Sequence, residues 1–378
     1  MKIEQTIWNK KNQWKKLVSE EGIIPQIVFL FGDNKAIRDQ DAIGFARSQY
    51  PHARIFGGTS AFEINQEGFS ENSIVVTAVE FNKVELQFAK ASLTANTSQE
   101  AAASLASQIT DKSNIGHLFV LCEGLDVNGG RVVDALVKNF PGVSISGGMA
   151  ADKNTVLPNY LILDDQMNDK SIIAVAFGKS INVGYGSHGG WDSFGVDRQI
   201  TKSDGKYVYE IDGQSALGLY KKYLGDEARN LPNSGHYFPV FLKENINGEG
   251  SVRSVIQIDE AADALIFSSD MPEGWYFRLM KANYNRLLEG VSKSAQRSLA
   301  GIDTSKKFLA LLVSCVGRQI VLKQRVYDGI EEASNAFGNN KVMCGFCSLG
   351  EICPISQEDK KAYYHNQTMT ITIFSDNE

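Results

Sequence analysis

Residues 342–370, VMCGFCSLGEICPISQEDKKAYYHNQTMT, combine strand patterns with several of the most reactive side chains in the chain. Apolar residues at the start of the segment are typical of a buried strand, and threonine alternates with Met and Ile from Met369 to Phe374 as in a half-buried strand. Three of the five cysteines, the acid Glu351 and the histidine His365 lie in this segment. Because functional residues often lie where a strand gives way to a loop, we expect the functional site here.

A pattern of strand, helix, glycine-containing strand and further strand occurs three times. The first copy starts with the strand at Ile23–Phe31 and reaches ARIFGGTSAFE at Ala53, and the second runs from LFVL at Leu118 to VSISGGMAADK at Val143. In the third copy, which starts at Phe308, the cysteine-containing VMCGFCSLGE replaces the glycine-pair strand. This repetition predicts an α/β fold of two domains built from repeated β-α-β-β units, with mixed sheets and outer helices.

The repeats also suggest the domain limits. Residues 1–22 are predicted to form an amphipathic helix, because apolar and lysine residues alternate with helical spacing. Residues 23–212 hold the first two repeats, and residues 213–378 hold a meander of short strands followed by the third repeat.

Composition excludes several classes of function. Of the 378 residues 43% are hydrophobic and 22% charged, as in a globular protein, and the net charge of -6 argues against a nucleic-acid partner. No apolar run approaches the roughly 20 residues that span a membrane, and the first residues do not resemble a signal peptide. We therefore expect a cytoplasmic protein, without membrane or nucleic-acid binding, whose cysteines are reduced.

Several motifs occur in order along the chain: IFGGTS at Ile55, ISGGMAAD at Ile145, SHGGWDSFG at Ser187, SCVGR at Ser314 and GFCSLGEI at Gly345. Together they resemble the FIST family of sensory and signal-transduction proteins, which join a FIST N to a FIST C domain. The resemblance implies a ligand-binding sensor that modulates a partner, either a histidine kinase or a cyclic-di-nucleotide enzyme (diguanylate cyclase or phosphodiesterase). Because some family members bind haem and sense nitric oxide, the resemblance also makes haem with nitric oxide a candidate ligand.

Four cysteines are candidates for metal or redox chemistry: Cys344, Cys347, Cys353 and Cys315. Four thiolates suit Zn or an iron-sulfur cluster, and a CxxC pair also suits a thiol switch. A thiol- or metal-based redox protein is therefore an alternative function. Residues three apart on a regular strand point to opposite faces, however, and buried cysteines often serve only as small hydrophobic residues.

Two histidines are candidate ligands of haem b iron. His188 lies among glycines beside Trp191, which leaves room for a flat ligand, and His365 lies at the start of a strand. The alternative interpretation is that each ring forms a hydrogen bond to the backbone.

Charged residues in the family motifs are candidates for binding a small molecule. Arg253, Arg318 and Glu351 could clamp a ligand that resembles an amino acid or carries a propionate, since arginine binds carboxylates bidentately. An internal ion-pair set is the other interpretation. The turns that follow three strand glycines are predicted to line the same cleft, because ligands of α/β sheets lie beyond the carboxyl ends of strands. These glycines are Gly58, Gly148 and Gly345.

The chain contains no HExxH, GxSxG or kinase motif, so the prediction is a binding protein and not an enzyme. A cysteine nucleophile at Cys344 or Cys347 with His365 is the catalytic alternative that the spacing permits.

Overall fold

The computed structural model describes residues 1–93, 97–153 and 157–377. The described residues form four sheets with helices packed against them. The strands are β1 (Lys2–Asn9), β2 (Gln13–Val18), β3 (Ile27–Gly32), β4 (Arg54–Thr59), β5 (Glu63–Asn65), β6 (Gly68–Ser70), β7 (Ile74–Glu80), β8 (Leu86–Ser92), β9 (Ile115–Cys122), β10 (Ser144–Met149), β11 (Leu161–Leu163), β12 (Gln166–Asn168), β13 (Ser171–Gly178), β14 (Ile181–Ser187), β15 (Asp192–Ser193), β16 (Arg198–Asp204), β17 (Tyr207–Ile211), β18 (Gln214–Ser215), β19 (Val240–Lys243), β20 (Gly250–Arg253), β21 (Val255–Asp259), β22 (Ala264–Phe267), β23 (Tyr276–Lys281), β24 (Phe308–Cys315), β25 (Lys341–Ser348), β26 (Glu351–Pro354), β27 (Ala362–His365) and β28 (Met369–Asp376). The helices are α1 (Asn34–Asp39), α2 (Ala42–Gln49), α3 (Ser98–Gln108), α4 (Gly129–Asn139), α5 (Ala216–Leu224), α6 (Tyr284–Ser298), α7 (Val316–Leu322) and α8 (Val326–Phe337).

Three of the sheets have the same plan, one for each repeat. Their strand orders are β12-β11-β4-β3-β7-β1-β2, β27-β26-β10-β9-β13-β8 and β14-β28-β24-β25-β5-β6. In each sheet the two strands joined by helices are parallel, and the last strand of the repeat pairs antiparallel with the first. The predicted α/β class with β-α-β-β repeats, mixed sheets and outer helices is therefore confirmed.

The three sheets exchange hairpins in a cycle. The hairpin β5-β6 of the first repeat pairs with β25 of the third repeat, and β11-β12 of the second pairs with β4 of the first. The hairpin β26-β27 of the third repeat pairs with β10 of the second. Each repeat thus completes the sheet of another repeat, so the three sheets form a single interlocked assembly.

The three sheets also enclose a common core. Alternate residues of each central strand point inwards, so that Phe29, Phe119 and Leu311 belong to one buried cluster. The opposite faces are covered by helices: α1 and α2 on the first sheet, α3 and α4 on the second, and α6 and α8 on the third.

One glycine occupies the same register position in all three parallel strand pairs. A Cβ atom there would overlap the backbone carbonyl of the neighbouring strand. The pairs are Gly57 opposite Leu30, Gly147 opposite Val120, and Gly345 opposite Leu312. The glycine motifs noted in the sequence therefore lie within strands.

A fourth, antiparallel sheet forms most of a unit that spans residues 198–281, which we call the antiparallel unit. It has its own core around Leu217, Tyr220 and Phe267. Its strands β16 and β17 precede residue 212, so the sheet draws on both sides of the boundary predicted at residues 212 and 213.

The predicted helix over residues 1–22 is wrong, because β1 and β2 form a hairpin there. β1 pairs along its length with β7, so tertiary pairing overrides the helical spacing of the lysines. Asn9 forms the turn, since its side chain accepts hydrogen bonds from the backbone N–H groups of Lys11 and Asn12.

In the described part of the chain, the helices are too short or too polar to cross a lipid bilayer.

Candidate functional site

A cleft of about 710 Å³ separates the repeats from the antiparallel unit, and we call it the central cleft. On one side lie the segments that follow β9 and β24, the first turn of α4, and β27. On the other side lie the β16–β17 turn, β21 and the segment after β22. The volume is within the roughly 300–1,000 Å³ that is typical of small-molecule sites, and the position at strand carboxyl ends is the one expected for an α/β sheet.

The floor of the central cleft carries buried polar groups. Cys315 is 4% exposed and Ser254 5%, and the Ser254 hydroxyl makes no hydrogen bond to the described residues. The Asn366 amide donates to the carbonyl of Leu349 (3.3 Å) and accepts a hydrogen bond from the Ser268 hydroxyl. Unused hydrogen-bonding capacity on a buried wall favours a polar ligand, since buried polar groups are rarely left unpaired.

Arg318 and Glu351 lie behind this floor and are fully buried. The Glu351 carboxyl group accepts hydrogen bonds from the hydroxyls of Ser348 (2.7 Å) and Thr368 (2.8 Å). Burial raises the pKa of Glu351 to about 8, and burial lowers the pKa of Arg318 to about 10. The Cys315 thiol lies beside both groups, and burial raises its pKa.

The buried guanidinium of Arg318 has few hydrogen-bond partners. Its Nη2 donates to the carbonyl of Leu287, whereas Nε and Nη1 have no partner among the described residues. Arg318 and Glu351 do not form the direct ion pair that the alternative interpretation would require, and neither side chain lines the central cleft. Both residues interact with Cys315, which lines the cleft.

The two sides of the central cleft are joined by polar contacts at the start of α4, which we call the seam. Arg131 Nε donates to Asp270 of the antiparallel unit at 2.7 Å, and Asn128 Nδ2 donates to the same carboxylate at 3.0 Å. A Cβ atom on Gly129 would overlap the ring of Tyr364. A Cβ atom on the next residue, Gly130, would overlap the hydroxyl of Ser269 in the antiparallel unit.

The sequence analysis missed the seam residues. The signal that could have found them is the Asn128-Gly129-Gly130 run, where a helix cap is followed by two poor helix formers. Two glycines in a first helical turn indicate close approach of another segment. The identity of that segment, which carries Asp270, lies far along the chain.

A second cleft of about 340 Å³ adjoins the central cleft at the seam, and we call it the arginine cleft because Arg253 lines it. Arg253 is 8% exposed, and burial lowers its pKa to about 10. Its Nη1 donates to the Ser251 hydroxyl (2.6 Å) and to the carbonyls of Val252 (3.2 Å) and Tyr364 (2.5 Å). Of the three predicted charged ligand residues, Arg253 is thus the one with a cleft in front of it.

His188 and His365 line a third cleft, of about 280 Å³, so the structure brings the two haem candidates together. One ring nitrogen of His365, Nε2, is hydrogen bonded to the carbonyl of Cys353 at 2.9 Å. Burial lowers the pKa of each histidine to about 4, so both rings are neutral at pH 7. Haem is larger than most ligands of pockets of about 300 Å³. These residues, as arranged, therefore do not fit haem, and haem and nitric oxide binding stay predictions.

The predicted metal or redox cysteines are buried, and all five cysteines of the chain are free. Cys344 points into the common core, whereas Cys347 lies in a separate cluster with Val316 on the other face of β25. Burial raises the pKa of Cys344 to about 12 and also raises those of Cys347 and Cys353. Residues 1–93, 97–153 and 157–377 contain no group of three or more His, Cys, Asp or Glu side chains that could hold a metal ion. Metal and redox roles for these cysteines stay predictions.

The predicted ligand-binding glycines make room for neighbouring protein atoms. A Cβ atom on Gly58 would lie 2.9 Å from the carbonyl oxygen of Tyr160, and one on Gly148 would lie 2.8 Å from a methyl group of Val313. Gly345 faces the backbone of β24. The residue after Gly148, Met149, does line the central cleft.

Comparison with known proteins places these features in a family. The FIST N domain model matches residues 26–214, and the FIST C domain model matches residues 216–354. An uncharacterized protein, MJ1623, of Methanocaldococcus jannaschii is 27% identical over 218 residues, which cover 53% of this chain and 40% of that protein. The crystal structure of a cyanuric acid hydrolase from A. caulinodans superposes with a TM-score of 0.36 and 8% identity, over 93% of this chain and 90% of that one. A likeness at this level carries no conclusion about activity.

Proposed function

Because the chain belongs to the FIST family and contains both its FIST N and its FIST C domain, we propose that it is a sensor that binds a small molecule in the central cleft. FIST domains are sensory and signal-transduction modules. The observation that carries the proposal is the cleft itself, about 710 Å³ with buried polar groups on its floor. Its role is binding and not turnover, in a cytoplasmic protein whose cysteines stay reduced.

The walls of the central cleft indicate a compact, partly apolar ligand with hydrogen-bonding groups. Asn128, Ser254 and Asn366 supply uncharged polar groups, while Met149 and Leu349 supply apolar surface. Apolar contacts would contribute to the affinity for such a ligand, and the few polar groups would fix its orientation in the cleft. An amino-acid-like molecule has this size and mixture of groups, and the lining residues Lys206 and Asp204 carry charges opposite to those of its carboxylate and ammonium groups.

The seam is the route by which occupancy would be transmitted. Arg131 and Asp270 connect α4 to the antiparallel unit at the edge of the cleft, so a ligand that contacts both sides changes how the unit sits on the repeats. Only a ligand that binds the two arrangements with different affinity can shift their populations. We propose that the favoured arrangement regulates a partner, either a histidine kinase or a diguanylate cyclase or phosphodiesterase.

Blocking the central cleft at its exposed mouth tests the proposal. Ile256 lines the cleft and is 43% exposed, so Ile256→Arg obstructs entry with little effect on folding. Compounds that raise the melting temperature of both the wild-type protein and Arg253→Lys should lose at least about tenfold in affinity in Ile256→Arg, measured by calorimetric titration. The matched control is Val196→Arg, at an exposed apolar residue outside the cleft. Equal affinity for Ile256→Arg and the control would place the ligand elsewhere.

A further inference from the structure

We propose that the arginine cleft is a second, independent binding site, which takes the carboxylate group of a small organic acid or amino acid on Arg253. The central cleft is not needed for this site, since the seam pair Arg131–Asp270 and the ring of Tyr364 stand between the two.

The first argument is the unpaired charge of Arg253. The residue is buried, yet the described residues provide no ion pair for it, and Asp134 and Asp270 act on it only at longer range. A buried guanidinium is normally paired, because removing an uncompensated charge from water is costly. An anionic ligand supplies the missing countercharge.

The second argument is the orientation of the guanidinium. Three acceptors hold Nη1, and the group lies over the ring of Tyr364 with 5.3 Å between the guanidinium carbon and the ring centroid. Nε has no partner but is itself buried, whereas Nη2 makes no hydrogen bond to the described residues and is not among the buried unpaired atoms. Nη2 is therefore the donor that a ligand in the cleft can reach, and a carboxylate there would receive a charge-assisted hydrogen bond.

The third argument is the rest of the wall. The cleft of about 340 Å³ suits a molecule of amino-acid size, and Trp275 and Tyr363 provide flat apolar surface. Lys361 adds a second cation near the mouth, and Asp134 offers an anion to a ligand ammonium group. These positions distinguish a simple carboxylate from an amino acid.

Calorimetric titration of the full chain tests the site with three probes at equal ionic strength: sodium propionate, L-serine and sodium phosphate. We expect saturable binding of propionate and L-serine, weakened about tenfold or more in Arg253→Lys, which keeps the charge but lacks the Nη2 donor that faces the cleft. The control Arg54→Lys changes an exposed arginine remote from the cleft and should bind like the wild type. Asp134→Asn should remove any preference for L-serine over propionate without affecting propionate.

A pair of tryptophan variants, one inside the cleft and one just outside it, tests the site without changing the buried arginine. Asn245 lines the arginine cleft and is exposed, whereas its exposed neighbour Asn247 does not line it. Asn245→Trp should abolish carboxylate binding and Asn247→Trp should not, while Ile256→Arg in the central cleft should leave it intact. The proposal is overturned if neither carboxylate binds the wild-type protein, if phosphate alone binds, or if both tryptophan variants bind carboxylates as the wild type does.

Discussion

Two buried glutamates occupy equivalent positions in the first and third repeats. Glu63 faces β25 and Glu351 faces β10, each at the start of its exchanged hairpin. Each carboxyl accepts hydrogen bonds from the residue just before the last strand of its own repeat, Ser73 for Glu63 and Thr368 for Glu351. Burial raises the pKa of both carboxyls to about 8, so both are mainly protonated at pH 7.

These carboxyls predict that stability falls as pH rises from 6.5 to 8. A carboxyl with a raised native pKa binds a proton that the unfolded chain has released, so its contribution is complete below about pH 4.5 and is lost by about pH 8. The buried histidines have the opposite effect, since they lower stability as the pH falls. Burial lowers the pKa of His117 to about 3 and those of His188 and His365 to about 4. Above about pH 6.5 these rings are neutral in both the folded and the unfolded chain, so they no longer change the stability. Above pH 6.5 each glutamate removes up to ~1.4 kcal/mol of unfolding free energy per pH unit.

Melting temperatures at pH 6.5 and 8 check this prediction. The wild-type protein should melt at a lower temperature at pH 8, and Glu63→Gln and Glu351→Gln should each reduce that difference, because glutamine does not titrate. Glu100→Gln is the control. Hydrogen bonds from Thr97 lower the pKa of that exposed carboxyl, so it does not titrate between pH 6.5 and 8. A pH dependence in both buried variants equal to that of the wild type would contradict the assigned pKa shifts.

At the scale of elements, the repeats could be predicted because their signals are local. Apolar strands, helices and the glycines at 57, 147 and 345 recur in order along the chain, and the structure places those glycines at equal register. The N-terminal hairpin could not be predicted in the same way. Its stability comes from pairing with β7 and from Gln5, whose amide donates to the Thr77 hydroxyl (2.9 Å) and to the carbonyl of Met343 (2.8 Å).

Alanine at any of the three glycines that share a register position is predicted to destabilise the protein to a similar degree. Gly57→Ala, Gly147→Ala and Gly345→Ala should each destabilise the protein by more than ~4 kcal/mol, because the added Cβ overlaps a carbonyl of the paired strand and forces the sheet apart. Chemical denaturation measures the loss. Gly178→Ala is the matched strand control, since its nearest neighbours lie 3.5 Å away. If alanine at 345 costs no more than at 178, the close approach of β24 and β25 is incorrect.

At the scale of the whole molecule, the site depends on contacts between distant parts of the chain. Arg253 and Cys315 could be chosen from the sequence by residue type and motif, and each lines a cleft. The clefts themselves arise because the antiparallel unit packs on the start of α4 through Asp270, some 140 residues from Arg131. No local pattern specifies that pairing, which is why the sequence indicated candidate residues but not the cavity they share.

The exchange of hairpins predicts that the chain folds as one cooperative body. Residues 213–378 alone lack β14 and the β5-β6 hairpin, which flank the third sheet on both sides. Residues 1–212 alone lack β26-β27 beside β10, and also lack the partners of β16 and β17 in the antiparallel sheet. Both fragments would expose unpaired sheet edges and the apolar surface beneath them, which favours aggregation or disorder over a native fold.

Fragment complementation checks this prediction. Neither residues 1–212 nor residues 213–378, produced separately, should show the near-ultraviolet circular dichroism of a packed core or a cooperative melting transition, whereas co-expression of the two should restore both. The intact chain should unfold in a single transition, because opening any one sheet removes strands that belong to another repeat. Cooperative, native-like unfolding of residues 1–212 on their own would mean that the first two repeats do not need the β26-β27 hairpin. The third repeat would then be an accessory to the first two and not the part that closes the cycle.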